Sequence, residues 1–353
     1  MISNKYQVLA GYSLIHGIID LVSVTMVLGS VIWAGLSAST AIMLVIAYNL
    51  TAFALQAPIG FLIDYLKTPK EGALVGCLLL LLSLALYMNP VLVVMLAGLG
   101  NAFFHVGGGS ISLNIKKTKA LYPGIFVAPG ALGLSLGVIL GYSGSIPFLW
   151  LLALLLISII FIVFSKTPEI SYKKSSKVKE KINYFYLVIA FLLLSVSIRS
   201  LYGLSAVFTW KSEMFWLISL TTAIVLGKAL GGLIADNLGW RKTAVLALAI
   251  SAPLLAFFQD QPILAITGAF FFQMTMPITL TAVSNMMPGK SASAFGLTVL
   301  ALAVGTVPVY LFSKSILANQ YLVFLVILVS LFFIVISFKF LKPYFKKDLN
   351  IKF

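Results

Sequence analysis

The chain has 353 residues, of which 61% are hydrophobic and 9% are charged, and its mean hydropathy is +1.10. Soluble globular proteins are roughly half apolar and a quarter charged, so this composition excludes a soluble enzyme or binding domain and places nearly the whole chain in a lipid bilayer. The net charge of +15 does not indicate a nucleic-acid partner, because a basic binding surface needs a soluble domain to carry it. The one cysteine, Cys77, lies in an apolar run, and we expect no disulfide, no metal site and no cofactor.

The apolar runs divide the chain into two sets of six. A transmembrane helix needs roughly 20 mainly apolar residues. On this criterion we predict membrane-spanning helices at 8–34, 40–64, 72–88, 91–113, 122–142 and 146–165, and then at 183–207, 214–235, 242–258, 262–286, 292–313 and 319–340. The sequence therefore predicts an N-terminal six-helix bundle in 1–165, a cytoplasmic linker in 166–182, and a C-terminal six-helix bundle with a short cytoplasmic tail in 183–353.

The basic residues predict how these spans are oriented, because cytoplasmic loops carry an excess of lysine and arginine. If the N-terminus is cytoplasmic, 20 of the 24 basic residues face the cytoplasm. Only Lys211 and Lys314 then face outward, and Arg199 and Lys228 lie within spans. Lysine outnumbers arginine 22 to 2, which favours an AT-rich bacterial source. We therefore expect a multi-pass protein of a bacterial inner membrane with both termini in the cytoplasm.

One sequence motif occurs once in each half. Gly60 and Asp64 end the second predicted span, and Gly232 and Asp236 end the eighth. The two glycines and the two aspartates are separated by the same offset of 172 residues. An internal repeat of this kind predicts two related, parallel halves.

The second copy, Gly232-Leu-Ile-Ala-Asp-Asn-Leu-Gly-Trp-Arg-Lys242, resembles the signature that major facilitator transporters carry between helices 8 and 9. The resemblance implies the major facilitator fold, an all-α membrane protein with twelve transmembrane helices in two pseudo-symmetric six-helix bundles, working as a monomer. In the first copy, Lys67 stands at the position of the second glycine. Since glycine allows close helix approach and a carboxylate at a helix end can hold basic residues, we predict a conformational latch made of Gly60, Asp64, Gly232, Asp236, Gly239, Arg241 and Lys242.

Shorter motifs resemble the fosmidomycin-resistance branch of this family. They are His16-Gly-Ile-Ile-Asp20 in helix 1 and Gly-Leu-Gly-Asn-Ala-Phe-Phe-His105 in helix 4. Arg199 matches the helix 7 arginine of that branch, whereas a valine replaces the proline that follows the helix 4 histidine. This finer resemblance implies an efflux transporter.

Charged side chains within the spans are functional candidates, because each costs roughly 2.5–3.5 kcal/mol to place in the bilayer. His16 and Asp20 are four residues apart and share one face of helix 1, and Asp20 lies about 18 Å into its span. A carboxylate at this depth can load and release a proton as its access alternates. We predict that Asp20, His16 and His105 are proton-coupling residues; alternatively, they pin helix 1 to a neighbouring helix.

Arg199 keeps its charge and therefore needs a counter-charge, which is either Asp20 or an anionic substrate. Lys228 either projects into a cavity or reaches toward the interface. Tyr12 shares a helix face with His16 and Asp20, Asn101 shares one with His105, and Tyr202 shares one with Arg199. Gln273 lies on the tenth predicted span, which corresponds to helix 4 in the internal repeat. The predicted substrate-binding residues are Arg199, Tyr12, Asn101, Tyr202, Lys228 and Gln273.

The sequence therefore predicts a secondary active transporter, not an enzyme, that exports a small anionic or zwitterionic organic compound in exchange for protons by alternating access. Its expected partners are the substrate, protons and the lipid bilayer. Proton-driven uptake of a small organic nutrient is the alternative, because no sequence feature separates the two directions. A membrane-embedded transferase would cluster its polar residues at one membrane surface, and a channel would not need a duplicated latch motif.

Overall fold

The computed structural model describes residues 4–144, 146–172, 178, 182–312 and 314–353, apart from the side chains of 314 and 315. Within the predicted linker 166–182, residues 173–177 and 179–181 lie outside the described residues. These include five of the linker lysines on which the predicted orientation partly rests.

Helices occupy all six predicted spans of the first half. The N-terminal caps follow from local side chains: Asn4 accepts a hydrogen bond from the Tyr6 N–H at 2.9 Å, and Ser37 accepts one from the Thr40 N–H at 3.3 Å. The helices are α1 (Lys5–Trp33), α2 (Ala38–Asn49), α3 (Gln56–Leu66), α4 (Pro69–Ala85), α5 (Pro90–Ile115), α6 (Leu121–Tyr142) and α7 (Phe148–Phe164).

Helices also occupy the six predicted spans of the second half. They are α8 (Phe185–Ser205), α9 (Met214–Leu238), α10 (Trp240–Phe257), α11 (Pro262–Gln273), α12 (Thr275–Met286), α13 (Ser291–Leu311), the short α14 (Lys314–Leu317) and α15 (Gln320–Lys347). Helix α15 runs beyond the predicted end of its span at 340. Lysine is a good helix former and is favoured near a helix C-terminus, so the charges end the apolar run without ending the helix.

Two of the predicted spans are interrupted helices. A π-helical turn, Leu50–Ala54, separates α2 from α3, and α11 gives way to α12 at Met274. In both cases a proline follows four residues after the break, Pro58 after Ala54 and Pro277 after Gln273. Proline has no N–H to bond the carbonyl four residues earlier, so the carbonyls of Ala54 and Gln273 lack this helical hydrogen bond.

Ten helical segments among the described residues are long and apolar enough to cross a membrane. The two other predicted spans correspond to α4 and α7, which have 17 residues each. The predicted all-helical architecture is confirmed.

The chain forms two compact units. The first comprises 1–115, 129–172 and 290–300, and the second comprises 116–128, 173–289 and 301–353. Each unit thus contains one half of the sequence together with a short segment from the other half.

In the first unit, α5 packs against both α1 and α4. The aromatic side chains of Tyr12 and Phe104 are fully buried there and stack with their ring centroids 6.4 Å apart. The glycines of α6 allow it to lie directly on α1, since a Cβ atom at Gly133 would stand 2.0 Å from the Gly17 carbonyl oxygen. The residues Gly130, Gly133, Gly137 and Gly141 recur at helical spacing on α6, and this close packing accounts for the small-residue face that they form.

In the second unit, α15 packs against α8 and α10, and α11 packs against α9 and α10. Trp240, at the start of α10, is fully buried and meets Phe345 edge to face at 5.5 Å between centroids. The unit therefore has its own apolar core, and it supports α8 and α12, the helices that carry the second polar site described below.

Candidate functional site

The first unit holds three titratable side chains in contact, which we name the His–Asp–His cluster: His16, Asp20 and His105. Helix α1 presents His16 and Asp20 one turn apart, with 3.3 Å between His16 Nε2 and Asp20 Oδ2. Helix α5 brings His105 Nε2 to 3.4 Å from Asp20 Oδ1. The two imidazole rings meet edge to face with centroids 4.3 Å apart. The structure thus brings together all three predicted proton-coupling residues.

Asn101 orients the cluster from the turn before His105. Its side-chain amide donates a hydrogen bond to Asp20 Oδ1 at 2.8 Å, and its backbone carbonyl lies 2.8 Å from His105 Nδ1. A carbonyl can only accept, so Nδ1 of His105 carries a proton and Nε2 faces the carboxylate. That contact is favourable only when a proton lies between His105 and Asp20, on one side or the other. The arrangement can therefore hold and release a proton.

Gly130 of α6 closes one side of the cluster. A Cβ atom at this position would stand 2.5 Å from His16 Nε2 and 2.6 Å from Asp20 Oδ2. Only glycine lets α6 pass so close to these side chains. The sequence indicates a small-residue face on α6 but does not connect it with the charged residues.

Tyr12, predicted to bind substrate, lies apart from the cluster atoms. Its ring packs between Phe104 and Phe161, and its hydroxyl lies 3.4 Å from the Ser165 hydroxyl. The side chain is 1% exposed. Its surroundings are those of a core residue, and a role in substrate binding stays a prediction.

The second unit holds a buried arginine, whose surroundings we name the arginine site: Arg199, Tyr202, Thr275 and Thr279. Arg199 Nε donates to the Ser195 carbonyl at 3.2 Å, and its two terminal nitrogens donate to the hydroxyls of Thr275 and of Thr279, the latter at 3.0 Å. The side chain is 7% exposed. All these acceptors are neutral, so the described part of the second unit supplies no counter-charge to the guanidinium.

The two threonines are themselves fixed by backbone carbonyls around the break between α11 and α12. The Thr275 hydroxyl donates to the Phe272 carbonyl at 2.9 Å, and the Thr279 hydroxyl donates to the Thr275 carbonyl at 3.0 Å. Their hydrogens are thereby directed away from Arg199, and their oxygens accept from it. Sequence reasoning does not identify Thr279. The available signal is its spacing of four residues from Thr275 within the predicted span 262–286, which also contains Gln273.

Tyr202 lies three residues after Arg199 on α8. It is 4% exposed, its ring meets Phe272 edge to face at 5.3 Å, and its hydroxyl has no hydrogen-bond partner among the described residues. Gln273 adjoins α9, since a Cβ atom at Gly227 would stand 3.1 Å from the Gln273 Cβ. Lys228, the next residue of α9, is half-buried. The substrate-binding roles of Lys228 and Gln273 stay predictions.

The repeated motif places a carboxylate at the beginning of a helix in each unit. In the first, Asp64 accepts from the backbone N–H groups of Ala292 (3.2 Å) and Ser293 (2.7 Å) at the start of α13, and from the Ser293 hydroxyl at 2.6 Å. Gly60 makes room, because a Cβ atom there would stand 2.5 Å from the Ala292 carbonyl oxygen. A carboxylate at a helix N-terminus satisfies free N–H groups and interacts favourably with the helix dipole.

In the second unit, Asp236 accepts from the backbone N–H groups of Ala120 and Leu121 at the start of α6, each at 3.0 Å, and from Trp240 Nε1 at 3.0 Å. A Cβ atom at Gly232 would stand 2.4 Å from the Ala120 carbonyl oxygen. Ala120 and Ala292 are separated by the same 172 residues as the two aspartates. The repeat therefore extends to the helix ends that the aspartates cap.

The basic residues of the motif lie elsewhere. Arg241 and Lys242 are exposed, and no ion pair joins either of them to Asp236 within the part of the chain that the structure describes. Gly239 has φ +111°, and its Cα lies against the backbone of Phe353. Its counterpart Lys67 adopts a left-handed conformation, with φ 61° and ψ 36°.

The donor atoms of the His–Asp–His cluster all lie within 4.8 Å of one another, which is close enough to hold a metal ion. Among the described residues, no other group of three or more His, Cys, Asp or Glu side chains does so. The same distances are those of imidazoles hydrogen-bonded to a carboxylate, with Asn101 engaged on one carboxylate oxygen. A role of the cluster in proton coupling stays a prediction.

No protein-family profile and no curated protein matches this sequence, whereas solved structures match its fold. The E. coli fucose:proton symporter FucP aligns with a TM-score of 0.71 at 14% identity, over 94% of this chain and 98% of that one. A major facilitator structure of FucP in the outward conformation aligns with a TM-score of 0.68 at 14% identity, over 93% and 98%. The human organic anion transporter MFSD10 (TETRAN) aligns with a TM-score of 0.67 at 13% identity, over 94% and 99%.

At these identities the likeness concerns the fold. The predicted major facilitator fold is confirmed. The narrower resemblance to the fosmidomycin-resistance branch stays a prediction.

Proposed function

We propose that this chain is a secondary active transporter that exports a small anionic or zwitterionic organic compound in exchange for protons by alternating access. The main support for proton coupling is the His–Asp–His cluster. A carboxylate in the bilayer interior is costly unless it is paired or faces water. Asp20 is held between two imidazoles, and at least one proton has to be shared within the cluster for its contacts to be favourable. Such a group exchanges a proton when its access to water changes.

The substrate class follows from Arg199. Asp20 is engaged in its own cluster, and the acceptors around Arg199 are neutral. Of the two expected counter-charges, this favours an anionic group on the substrate. The organic anion transporter among the structural neighbours is consistent with this proposal, although it resembles the chain in fold only.

Export is proposed from the resemblance to the fosmidomycin-resistance branch, and uptake by proton symport is the second candidate, since one structural neighbour is a fucose:proton symporter. We further propose a monomer in a bacterial inner membrane with both termini cytoplasmic, on the distribution of lysine and arginine. The two helix-capping aspartates are proposed to latch one conformation of the transport cycle. No enzymatic activity is proposed.

Proton flux in liposomes tests this proposal. The purified protein is reconstituted with an internal pH-sensitive dye, an acid-inside gradient is imposed, and organic anions, amino acids, sugars and cations are added in turn. We expect a substrate-dependent proton movement with the wild type and none with Asp20→Asn. Asp260→Asn is the matched control, because Asp260 is exposed between α10 and α11.

The sign of the proton movement separates the two directions. Protons leaving the vesicle as substrate enters indicate exchange, whereas protons moving with the substrate indicate symport. Substrate transport without any proton movement in the wild type, or equal coupling in Asp20→Asn and Asp260→Asn, contradicts proton coupling at Asp20.

A further inference from the structure

We infer that the arginine site binds a carboxylate that carries no amino group, and that the Tyr202 hydroxyl donates a hydrogen bond to it. This inference rests on the proposed function, because it narrows the substrate from anionic or zwitterionic compounds to organic monoanions.

Arg199 has no counter-charge within the described part of the second unit. The described carboxylates of the second unit lie at helix ends or in connections: Glu213 precedes α9, Asp236 lies in the last turn of α9, Asp260 follows α10 and Asp348 follows α15. None of them forms an ion pair with Arg199, which lies within α8. One uncompensated cation favours an occupant with one negative charge.

The arginine site has hydrogen-bond donors that no described residue engages. A guanidinium group carries more N–H groups than its three acceptors, the Ser195 carbonyl and the hydroxyls of Thr275 and Thr279, engage. The Tyr202 hydroxyl is buried and has no partner among the described residues. A buried polar group without a partner costs free energy. The Tyr202 hydroxyl is therefore suited to donate a hydrogen bond to an oxygen atom of a ligand. The unengaged donors of the site thus suit the oxygens of a carboxylate.

The described part of the arginine site offers no acceptor for an ammonium group. The threonine oxygens accept from Arg199, and the threonine hydrogens are committed to backbone carbonyls. No carboxylate is available within the described part of the site to receive an ammonium group. An amino acid would therefore bring a positive charge beside Arg199 without a counter-charge. The ring of Phe272 meets Tyr202 edge to face, so the donors of the site adjoin an apolar side chain.

Equilibrium binding in detergent tests the inference without requiring transport. Three probes share one carbon skeleton: 3-phenylpropanoate as the anion, phenylalanine as the zwitterion and 3-phenylpropylamine as the cation; acetate to octanoate extend the anion series. We expect the carboxylates to bind and the other two classes to bind at least about tenfold more weakly, since leaving a charge without a partner is costly. Preferred binding of the zwitterion or the cation, or no binding of any carboxylate by the folded protein, overturns the inference.

Tyr202→Phe distinguishes a ligand contact from a structural one. A lost hydrogen bond to a charged ligand lowers affinity about tenfold or more. Because the hydroxyl has no hydrogen-bond partner among the described residues, the melting temperature should stay the same or rise. Tyr321→Phe, in which the removed hydroxyl belongs to a residue that is 69% exposed, should change neither quantity. A lower melting temperature with unchanged affinity in Tyr202→Phe assigns the hydroxyl a structural role and refutes its part in binding.

The outcome is separable from that of the proposed function. Carboxylate binding without substrate-driven proton movement leaves this inference standing and removes proton coupling. Proton-coupled transport of a cation supports proton coupling and removes the inference that the arginine site binds a carboxylate.

Discussion

Adding one methyl group at Gly130 perturbs the proton site without changing any of its charges. In Gly130→Ala the new Cβ atom would stand 2.5 Å from His16 Nε2 and 2.6 Å from Asp20 Oδ2. Ordinary van der Waals contacts of carbon are roughly 3.5–4.0 Å, so about 1 Å has to be absorbed. Either α6 moves away from α1, or the imidazole and the carboxylate change rotamer.

Overpacking of this kind costs about 1–3 kcal/mol. The intrinsic preference of a helix for alanine over glycine returns only about 1 kcal/mol. We therefore expect Gly130→Ala to lower the free energy of unfolding by up to about 2 kcal/mol. Because the clash falls on His16 and Asp20, substrate-driven proton flux should fall more steeply than the amount of folded protein.

Gly203→Ala is the matched control. Gly203 lies within α8, and a Cβ atom there would meet nothing within 4 Å, so alanine should be neutral or stabilising by up to about 1 kcal/mol. Thermal unfolding in detergent and proton flux in liposomes are measured for both variants. Equal stability and equal flux in the two variants would refute the close approach of α6 to the His–Asp–His cluster.

Three further substitutions test the repeated motif. Lys67→Gly should raise the free energy of unfolding by about 1 kcal/mol, because a side chain in the left-handed conformation is strained and φ at Lys67 is 61°; a lower melting temperature would contradict this assignment. Asp64→Ala and Asp236→Ala should each cost about 0.5–2 kcal/mol by removing a helix cap, as followed by thermal unfolding. Asp260→Ala, at an exposed position, should cost little, and equal losses in all three would show that the caps contribute no special stability.

The length of the apolar runs predicts where the helices lie, because the bilayer sets both the length and the composition of a span. The same criterion misses the interruptions of the second and tenth spans. Pro58 and Pro277 account for those breaks once the structure is known, yet Pro129 and Pro253 lie within the uninterrupted helices α6 and α10. Whether a proline breaks a helix depends on tertiary packing, which a single sequence does not contain.

The polar sites, too, are predicted from the sequence only in part. Helical spacing places His16 beside Asp20, and the two lie in contact. That His105 of α5 completes the cluster, and that Gly130 of α6 closes it, depends on packing between helices distant in sequence. The repeat offset identifies Asp64 and Asp236 as a pair, but their partners are the backbone N–H groups of α13 and α6. Backbone groups have no sequence signature, so these contacts could not be predicted.

The central claim is that Asp20 couples proton movement to transport. The most direct test compares substrate-driven proton flux by the wild type, Asp20→Asn and Asp260→Asn in the same liposomes at matched amounts of folded protein. The account predicts coupled flux in the wild type and in Asp260→Asn, and its loss in Asp20→Asn. Undiminished coupling in Asp20→Asn would contradict it.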